Sequence, residues 1–287
     1  MRVDLHVHST ASDGTESPAE VMRRAHQADI DVVALTDHDT TAGLAEAGRA
    51  LAAGLTLVPG IELSCLVESH SVHLLGYLFD PAEPRLAAEC ARIRRSRLGR
   101  ARRMVTRLRA LGVPVTFEQV AAIANGGTVG RPHIARAMVA AGVIKRFADA
   151  FTTDWIAPGG RAYVGRYAPS PRRAISLLRS AGGVAALAHP RAGRRWQLPA
   201  DWLATLASAG LAGIEVDHPD HDEAQREELR RAAKQTGLIP LGSSDDHGSL
   251  TGHRIGCETT SPANYQRLLA LATGAKPVQG PRQGQVP

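Results

Sequence analysis

Short apolar runs, polar loops and amphipathic stretches alternate along most of the chain, and seven of the apolar runs predict β-strands. These runs are rich in Val, Ile and Leu that stand together, a pattern typical of strands buried on both faces. The predicted strands are residues 3–8, 31–36, 56–63, 72–78, 184–188, 213–216 and 239–242.

Amphipathic stretches follow several of these strands and predict helices at residues 18–28, 42–53, 171–180, 202–209 and 222–236. Ser17 before Pro18 is typical of an N-cap followed by proline at the first helical position. Alternating strands and helices indicate a mostly parallel sheet, either open or closed into a barrel.

The alternation stops between about residues 80 and 173, where the pattern predicts helices only. A long helix is expected over 85–111, and shorter helical segments over 117–124, 133–141 and 144–151. The expected apolar side of the long helix consists of Ile93, Leu98, Ala101, Val105, Leu108 and Leu111. We therefore expect a discontinuous barrel of residues 1–80 and 174–274, a helical insertion at 81–173 that caps one end, and a loose tail at 275–287.

Composition is that of a globular enzyme, with 44% hydrophobic and 22% charged residues, and no apolar run is long enough for a membrane span. The N-terminus enters a strand-like pattern at once, which leaves no room for a signal peptide. Three widely spaced cysteines argue against a disulfide framework or a thiolate metal site, so a cytoplasmic location is expected. The formal net charge of +6 suits an anionic partner.

Histidines and acids recur where the predicted strands end. In an α/β barrel the carboxyl ends of the strands form one rim, so residues that are far apart in sequence would meet there. His6 and His8 are two apart in a strand and therefore share a face. The full set is His6, His8, Asp13, His38, Glu62, His73, His189, Asp245 and His247.

A single histidine at a strand end is more often a hydrogen-bonded structural residue than a metal ligand. Nine ligand-type residues at the same end of successive strands are not explained in that way. Imidazole and carboxylate groups without thiolate suit Mn, Fe or Zn at a catalytic site, and nine exceed what one ion needs. The sequence therefore predicts two or three divalent ions.

The motifs around these residues resemble those of the PHP family (polymerase and histidinol phosphatase). They are His6-Val7-His8-Ser9 with Asp13-Gly14, Thr36-Asp37-His38-Asp39, Gly60-Ile61-Glu62, His189-Pro190 and Asp245-Asp246-His247. The resemblance implies an α/β fold, a distorted seven-stranded (β/α)7 barrel that is TIM-barrel-like, with the helical insertion after the fourth strand.

The same resemblance implies three metal positions. The first ion would be held by His6, His8, Glu62 and Asp245, and Glu62 would bridge to a second ion held by His73 and His189. Asp13, His38 and His247 would hold the third. Some relatives have histidine where this chain has Asp13, which favours Mn over Zn.

Within the family, the insertion and the Gly130-Arg131-Pro132-His133 motif resemble the branch of metal-dependent phosphoesterases. This implies hydrolysis of the 3′-phosphate of nucleoside 3′,5′-bisphosphates, with a hydroxide activated between two ions as the attacking group. The alternatives are a 5′-3′ exoribonuclease on short 5′-phosphorylated oligonucleotides and a histidinol-phosphate-type phosphatase. An inert module that binds nucleic acid is the alternative outside enzymes, but the complete ligand set argues against it.

Several further side chains are candidates for the chemistry. His218 and His221 are candidates to protonate the leaving oxygen, although either could be a surface histidine. Arg131 and His133 could bind a second phosphate at a helix start, and Arg191 is a similar candidate. Asp37 and Asp39 are expected to orient His38.

The expected partner is a small phosphorylated nucleotide. Seven arginines in the long helix, Arg92, Arg94, Arg95, Arg97, Arg100, Arg102 and Arg103, are usually read as a solvated face, although they could attract polyanions. Aromatic residues make up only 4% of the chain, which argues against a stacking platform for long single-stranded RNA and leaves short RNA as the alternative. No membrane and no obligate protein partner are expected.

Overall fold

The computed structural model describes residues 1–68, 70–192 and 201–281. Its strands are β1 (Val3–Val7), β2 (Val32–Leu35), β3 (Thr56–Val67), β4 (His70–Tyr77), β5 (Val184–Leu187), β6 (Leu211–Asp217), β7 (Ile239–Gly242) and β8 (Val278–Gln279). Its helices are α1 (Pro18–Gln27), α2 (Leu44–Arg49), α3 (Pro84–Ala110), α4 (Phe117–Ala124), α5 (Arg131–Ala140), α6 (Pro171–Ser180), α7 (Trp202–Ser208), α8 (Glu223–Thr236) and α9 (Pro262–Leu271), with 3₁₀ turns at Phe147–Ala150 and Gly248–Leu250.

All seven predicted strands are present, and they lie in the sheet in chain order from β1 to β7. Neighbours are parallel except β4, which is antiparallel to both β3 and β5 because it forms a hairpin with β3. The sheet curls until Val7, at the end of β1, forms a bridge with Asp246 beyond β7. This is the curled seven-stranded α/β architecture that the family resemblance implied.

Apolar side chains fill both faces of the curled sheet. Val58, Leu75 and Leu241 belong to a cluster inside the curl, and Ile61 and Leu178 belong to another between the sheet and the outer helices. Burial on both faces explains why these strands read as continuous apolar runs. Among the described residues, no helix is long and apolar enough to cross a membrane.

The helical segment between β4 and β5 has an apolar cluster of its own, in which α3, α4 and α5 pack together. Met104 and Leu108 of α3 contribute to it, but Leu98 is 38% exposed. The expectation that Leu98 lies on the apolar side of this helix is therefore wrong. Arg97 and Arg100 are turned inward, at 5% and 6% exposure, so the interpretation of the arginine series as a solvated face is also wrong for these two.

Three local expectations need smaller corrections. The segment 144–151 forms only a short 3₁₀ turn, and the helix expected over 42–53 is reduced to α2. In the expected tail, β8 pairs antiparallel with Thr56 and Leu57 of β3, whereas residues 282–287 lie outside the described residues. Helix α9 was not anticipated.

Candidate metal centre

His6 and His8 approach each other at the end of the first strand. His6 lies in β1 and His8 directly follows it, so that both side chains face the same side. Their Nε2 atoms are 3.0 Å apart and both rings are buried. The two imidazoles therefore converge at the rim formed by the carboxyl ends of the strands.

Glu62 of β3 lies at the middle of the cluster. Its Oε1 is 2.7 Å from Nδ1 of His73 and 2.9 Å from Nε2 of His189. Its Oε2 is 2.8 Å from Nδ1 of His38 and 3.2 Å from Nε2 of His8. A carboxylate whose two oxygens face different imidazoles is arranged to bridge neighbouring ions.

Two more carboxylates lie on the other side of His8. Asp245 Oδ1 is 3.3 Å from Nε2 of both His6 and His8. Asp13 Oδ1 is 3.4 Å from Nε2 of His247. All nine side chains that the sequence indicates as ligands therefore lie in one cluster.

The ligand atoms form overlapping groups in which all atoms lie within 4.8 Å of one another. The groups are His6–His8–Asp245, His6–Glu62–His189, His8–Asp13–His247 and His38–Glu62–His73. They differ from the implied sets in three respects: His38 groups with Glu62 and His73, His189 groups with His6 instead of His73, and His8 joins Asp13 and His247. In particular, His38 Nδ1 is 2.8 Å from Glu62 whereas its Nε2 is 3.7 Å from Asp13. The division of ligands among individual ions stays a prediction.

The backbone at this rim is strained. Asp39, His189 and Asp245 adopt φ angles of 56°, 26° and 49°, in the left-handed region that non-glycine residues rarely occupy. Such conformations persist only where the surrounding structure enforces them, and they cluster at functional sites.

The carboxylates of the cluster are held in their ionised form. Burial opposes the charge of Glu62, but the neighbouring His38 and His6, and a hydrogen bond with His189, hold its pKa well below the usual range. The pKa values of Asp13 and Asp245 are lowered in the same way by adjacent histidines, against the effect of burial. Ionised carboxylates are the form that binds metal.

The ionised carboxylates of the cluster are stabilised by positive charge nearby. Burial opposes protonation of His8, yet hydrogen bonds with Asp245 and Glu62 raise its pKa to about 10. Burial lowers the pKa of His73 to about 3, which keeps that imidazole neutral. A divalent cation would supply the positive charge that a proton on His8 otherwise provides.

Several buried ligand atoms make no well-formed hydrogen bond with any described residue. They are Asp13 Oδ1, His38 Nδ1, His73 Nδ1 and Asp245 Oδ1. Each of these atoms lies near another ligand atom of the cluster without a well-formed hydrogen bond to it, and buried polar atoms in that situation are costly. Oxygen and imidazole donors without thiolate fit Mn, Fe or Zn, so the residues present fit divalent metal ions.

Glu215 is a member of the site that the sequence interpretation missed. It is fully buried in β6, and its Oε1 lies 2.9 Å from Nδ1 of His6. It also accepts hydrogen bonds from the backbone N–H of His189 at 2.6 Å and from the hydroxyl of Ser243. The available signal was an acid between Ile214 and Val216, in an otherwise apolar strand.

Asp37 and Asp39 do not contact the ring of His38 as expected. Asp37 accepts hydrogen bonds from the backbone N–H of Ser9 at 2.8 Å and from the Ser12 hydroxyl at 2.6 Å. Asp39 pairs with Arg97 and with the backbone N–H of Ser64, both at 2.7 Å. These aspartates fix the loops that carry the ligands instead of orienting the imidazole directly.

His218 and His221 differ in the use of their ring nitrogens. Both nitrogens of His221 are engaged, Nδ1 with the carbonyl oxygen of Val216 at 2.9 Å and Nε2 with the N–H of Arg191 at 3.2 Å. His218 Nδ1 accepts the backbone N–H of Asp220 at 3.1 Å, whereas its buried Nε2 has no well-formed hydrogen bond and lies 3.5 Å from Asp245 Oδ2.

The occupied Nδ1 fixes the tautomer of a neutral His218. Because Nδ1 accepts a hydrogen bond, the ring proton must be on Nε2. An Nε2 that carries a proton can donate a hydrogen bond but cannot ligate a metal. The neighbouring triad His218–Asp220–Asp245 is close enough to hold an ion, but this tautomer argues against it.

The candidate substrate residues lie at the start of α5 and in the loop after β5. The guanidinium of Arg131 donates a hydrogen bond to the carbonyl oxygen of Ile156 at 3.3 Å. His133 is buried and accepts the N–H of Gly130 at 3.0 Å, which fixes the start of α5. Arg191 pairs with Glu228. Their roles toward a substrate stay predictions.

Comparisons with known proteins agree with this geometry. The family model described as PHP domain matches residues 4–98. A 3′,5′-nucleoside bisphosphate phosphatase from Chromobacterium violaceum is 37% identical over 88% of this chain and 89% of its own. The 5′-3′ exoribonuclease Rnm of Salmonella typhimurium is 33% identical over 92% of this chain and 91% of its own. A solved structure from Bifidobacterium adolescentis, assigned to the metal-dependent phosphoesterases, has a TM-score of 0.88 at 35% identity and covers 94% of this chain and 96% of its own.

Proposed function

The chain belongs to the PHP family of metal-dependent phosphoesterases, and on this premise we propose that it removes the 3′-phosphate of nucleoside 3′,5′-bisphosphates. Adenosine 3′,5′-bisphosphate would give AMP and inorganic phosphate. The observation that carries the proposal is the convergence of nine ligand side chains around Glu62, with buried ligand atoms that lack hydrogen bonds.

The proposal includes three divalent ions, with manganese as the metal. His6, His8, Glu62 and Asp245 would hold the first, Glu62, His73 and His189 the second, and Asp13, His38 and His247 the third. When bound, such ions lower the pKa of water and neutralise phosphate oxygens, which is the chemistry that hydrolysis of a phosphate monoester needs.

The side chains of the protein supply positioning and a hydrogen-bond donor. Glu215 holds His6 through Nδ1, so that Nε2 of His6 faces the cluster. The Nε2 of His218 lies 3.5 Å from Oδ2 of the ligand Asp245. We propose that His218 stabilises a substrate oxygen by hydrogen bonding, and that solvent supplies the proton of the leaving 3′-oxygen. A full proton transfer would turn a neutral imidazole into an anion, which is unfavourable.

The relatives support a phosphoesterase but differ in substrate. The identity to the bisphosphate phosphatase and the low aromatic content favour a small nucleotide. The exoribonuclease is the second candidate, because arginines at Arg95, Arg102 and Arg103 lie exposed along α3 and could attract a polyanion.

The deciding experiment offers three substrates to the purified protein loaded with Mn²⁺. Phosphate release from adenosine 3′,5′-bisphosphate and from histidinol phosphate is compared with mononucleotide release from a 5′-phosphorylated trinucleotide. Fastest turnover of the bisphosphate is the expected result. Faster turnover of the trinucleotide would make the exoribonuclease the better assignment, and failure on all three with metal bound would refute the substrate class.

Variants connect that activity to the site. His6→Ala and Asp245→Ala should abolish turnover because they remove ligands shared by the cluster. The exposed residues His26 and Asp154 provide matched controls, and His26→Ala and Asp154→Ala should retain activity. Equal activity of the ligand variants and the controls would show that the measured turnover comes from another site or from a contaminant.

A further inference from the structure

Asp4 is a fully buried acid in β1 that lies outside the metal-ligand cluster. Its carboxylate belongs to none of the ligand groups that the described residues form at the metal centre. Removing a carboxylate from water is costly unless hydrogen bonds or opposite charges compensate it. An acid in this position therefore needs a physical explanation.

Three backbone N–H groups from separate parts of the chain point at this carboxylate. Its Oδ1 accepts hydrogen bonds from Ser244 at 3.1 Å and from His6 at 3.3 Å, and its Oδ2 accepts one from Gly256 at 2.8 Å. Ser244 follows β7, and Gly256 lies further along the same connection to α9. Asp4 thus fastens both ends of the segment 244–256, the ligand segment, to β1.

The ligand segment is also held together internally, by the side chain of Asp246. Its Oδ1 accepts a hydrogen bond from the backbone N–H of Arg254 at 2.7 Å, and its Oδ2 accepts one from the N–H of Gly248 at 3.0 Å. Because of these bonds, the two attachments to β1 act on the segment as a unit. That unit carries two of the candidate metal ligands, Asp245 and His247.

The backbone of Asp245 is held on both sides. On one side Asp4 holds Ser244, and on the other the N–H of His8 donates to the carbonyl oxygen of Asp246 at 2.9 Å. Between these two contacts Asp245 has a φ angle of 49°, which a non-glycine residue keeps only where the surrounding structure enforces it. In this conformation its Oδ1 lies 3.3 Å from Nε2 of His8.

We propose that Asp4 is a positioning residue of the metal centre, which holds Asp245 and His247 where they meet the ligands of β1 and of the loop after it. Asp4 acts through the backbone of the ligand segment, without contact with the substrate. An ionised carboxylate suits this role because it offers acceptors only, and three donors face it. The role depends on metal binding at this centre but not on which phosphate ester is hydrolysed.

The first test is titration of metal-free Asp4→Asn with Mn²⁺ by calorimetry. Asparagine keeps the size of the side chain but replaces one acceptor oxygen by an NH₂ group, which cannot accept from the backbone N–H that faces it. One attachment of the ligand segment is then lost. The Mn²⁺ affinity of the sites that use Asp245 or His247 should fall by about 10- to 100-fold.

Thr260→Val is the matched control. Thr260 is 2% exposed, and at the end of β7 its hydroxyl accepts from the N–H of Gly242 at 3.0 Å and donates to the carbonyl oxygen of Gly242 at 2.7 Å. Valine keeps the shape and removes these bonds, so the midpoint of urea denaturation should fall in both metal-free variants, whereas Mn²⁺ affinity should fall only in Asp4→Asn. Wild-type Mn²⁺ affinity in Asp4→Asn, or an equal loss in Thr260→Val, would overturn the proposal.

A second measurement needs no variant and therefore holds even if Asp4→Asn does not fold. Amide hydrogen exchange of the metal-free wild type, followed by NMR, should show the N–H groups of Ser244 and Gly256 protected as strongly as those of β1. Both amides donate to a buried carboxylate, so they should exchange only when this part of the fold opens. Exchange of these two amides at the rate of an unfolded peptide would overturn the proposal.

Neither measurement uses a substrate, so the positioning role and the proposed function can fail separately. If no nucleotide is hydrolysed but Asp4→Asn loses Mn²⁺ affinity, the proposed function fails and the positioning role stands. If the bisphosphate is hydrolysed and Asp4→Asn binds Mn²⁺ as tightly as the wild type, the function stands and the positioning role is overturned.

Discussion

Glu215 holds His6 by a 2.9 Å contact between its Oε1 and the Nδ1 of the imidazole, and both side chains are fully buried. Burial opposes ionisation of Glu215, but the adjacent His6, His218 and His189 lower its pKa to about 2. An ionised carboxylate can only accept, so Nδ1 of His6 must donate. His6 Nε2 is then left unprotonated in the neutral ring and available to a metal ion.

This contact predicts a metal-binding defect in Glu215→Gln. The substitution keeps the size of the side chain but removes the charge that fixes the tautomer of His6. We expect affinity for Mn²⁺ to fall by about 10- to 100-fold, as for other residues that orient a metal ligand. Titration of the metal-free protein with Mn²⁺ measures this affinity. Glu227→Gln, on the exposed side of α8, is the control, and equal affinities for the two variants would contradict the role of Glu215.

Metal removal should destabilise the fold at the rim. Buried Asp13 and Glu62 and half-buried Asp245 lie in one cluster, and without cations their mutual repulsion is balanced only by protons on histidines such as His8. Binding of Mn²⁺ at 100 times its dissociation constant should raise the free energy of unfolding by about 2.7 kcal/mol per site.

Thermal denaturation of the chelated and the Mn²⁺-loaded protein measures this effect, and the loaded form should melt several degrees higher. In Asp245→Asn the increase should be smaller, because one ligand charge is lost. An identical melting temperature with and without Mn²⁺ in the wild type would rule out stable metal binding by this cluster.

Replacement of His218 should lower kcat, whereas replacement of His221 should not do so directly. Because His218 Nε2–H lacks a well-formed partner and faces Asp245, His218→Ala should reduce kcat by about 100-fold, as for the loss of a donor to a developing negative charge. Both nitrogens of His221 are engaged within the protein, so His221→Ala should mainly reduce stability.

The pH profile of kcat separates a donor from a general acid at His218. If His218 only donates a hydrogen bond, His218→Ala lowers kcat without changing the shape of the profile. Loss of the basic limb in that variant would mean that His218 transfers a proton, and the tautomer argument would then be wrong.

The positions of the strands could be predicted from the sequence because each strand is marked by a local apolar run. Apolar runs such as 184–188 and 239–242 are short and bounded by glycine or proline, and burial on both faces makes them continuous. The ligand residues could be predicted for a related reason, since a parallel sheet takes residues at successive strand ends to one rim. His73 is a partial exception, because it lies within β4, which is antiparallel to its neighbours.

The parts that could not be predicted depend on tertiary contacts. The sequence pattern predicts a solvated face for Arg97 and Arg100, and only the tertiary structure, in which Arg97 contacts Asp39 and Ser64, shows that this side of α3 is covered. Likewise β8 is only two residues long and exists because it pairs with β3, which is remote in sequence. Glu215 carried a signal, but an acid in an apolar strand does not indicate which of several histidines it contacts.

Gly14, next to Asp13, should not tolerate a side chain. A Cβ atom there would lie 2.7 Å from the carbonyl oxygen of His8 and 2.8 Å from its carbonyl carbon, and neither can move without shifting a ligand. Gly14→Ala should therefore destabilise the protein by about 1–3 kcal/mol, as overpacking does, and weaken Mn²⁺ binding. Gly99 lies within α3 with no atom within 4 Å of such a Cβ, so Gly99→Ala should stabilise by about 0.5–1 kcal/mol. Urea denaturation of both variants measures whether the free energy of unfolding falls in Gly14→Ala and rises in Gly99→Ala. A stable Gly14→Ala protein with normal Mn²⁺ affinity would show that the loop carrying Asp13 can adjust without disturbing the metal centre.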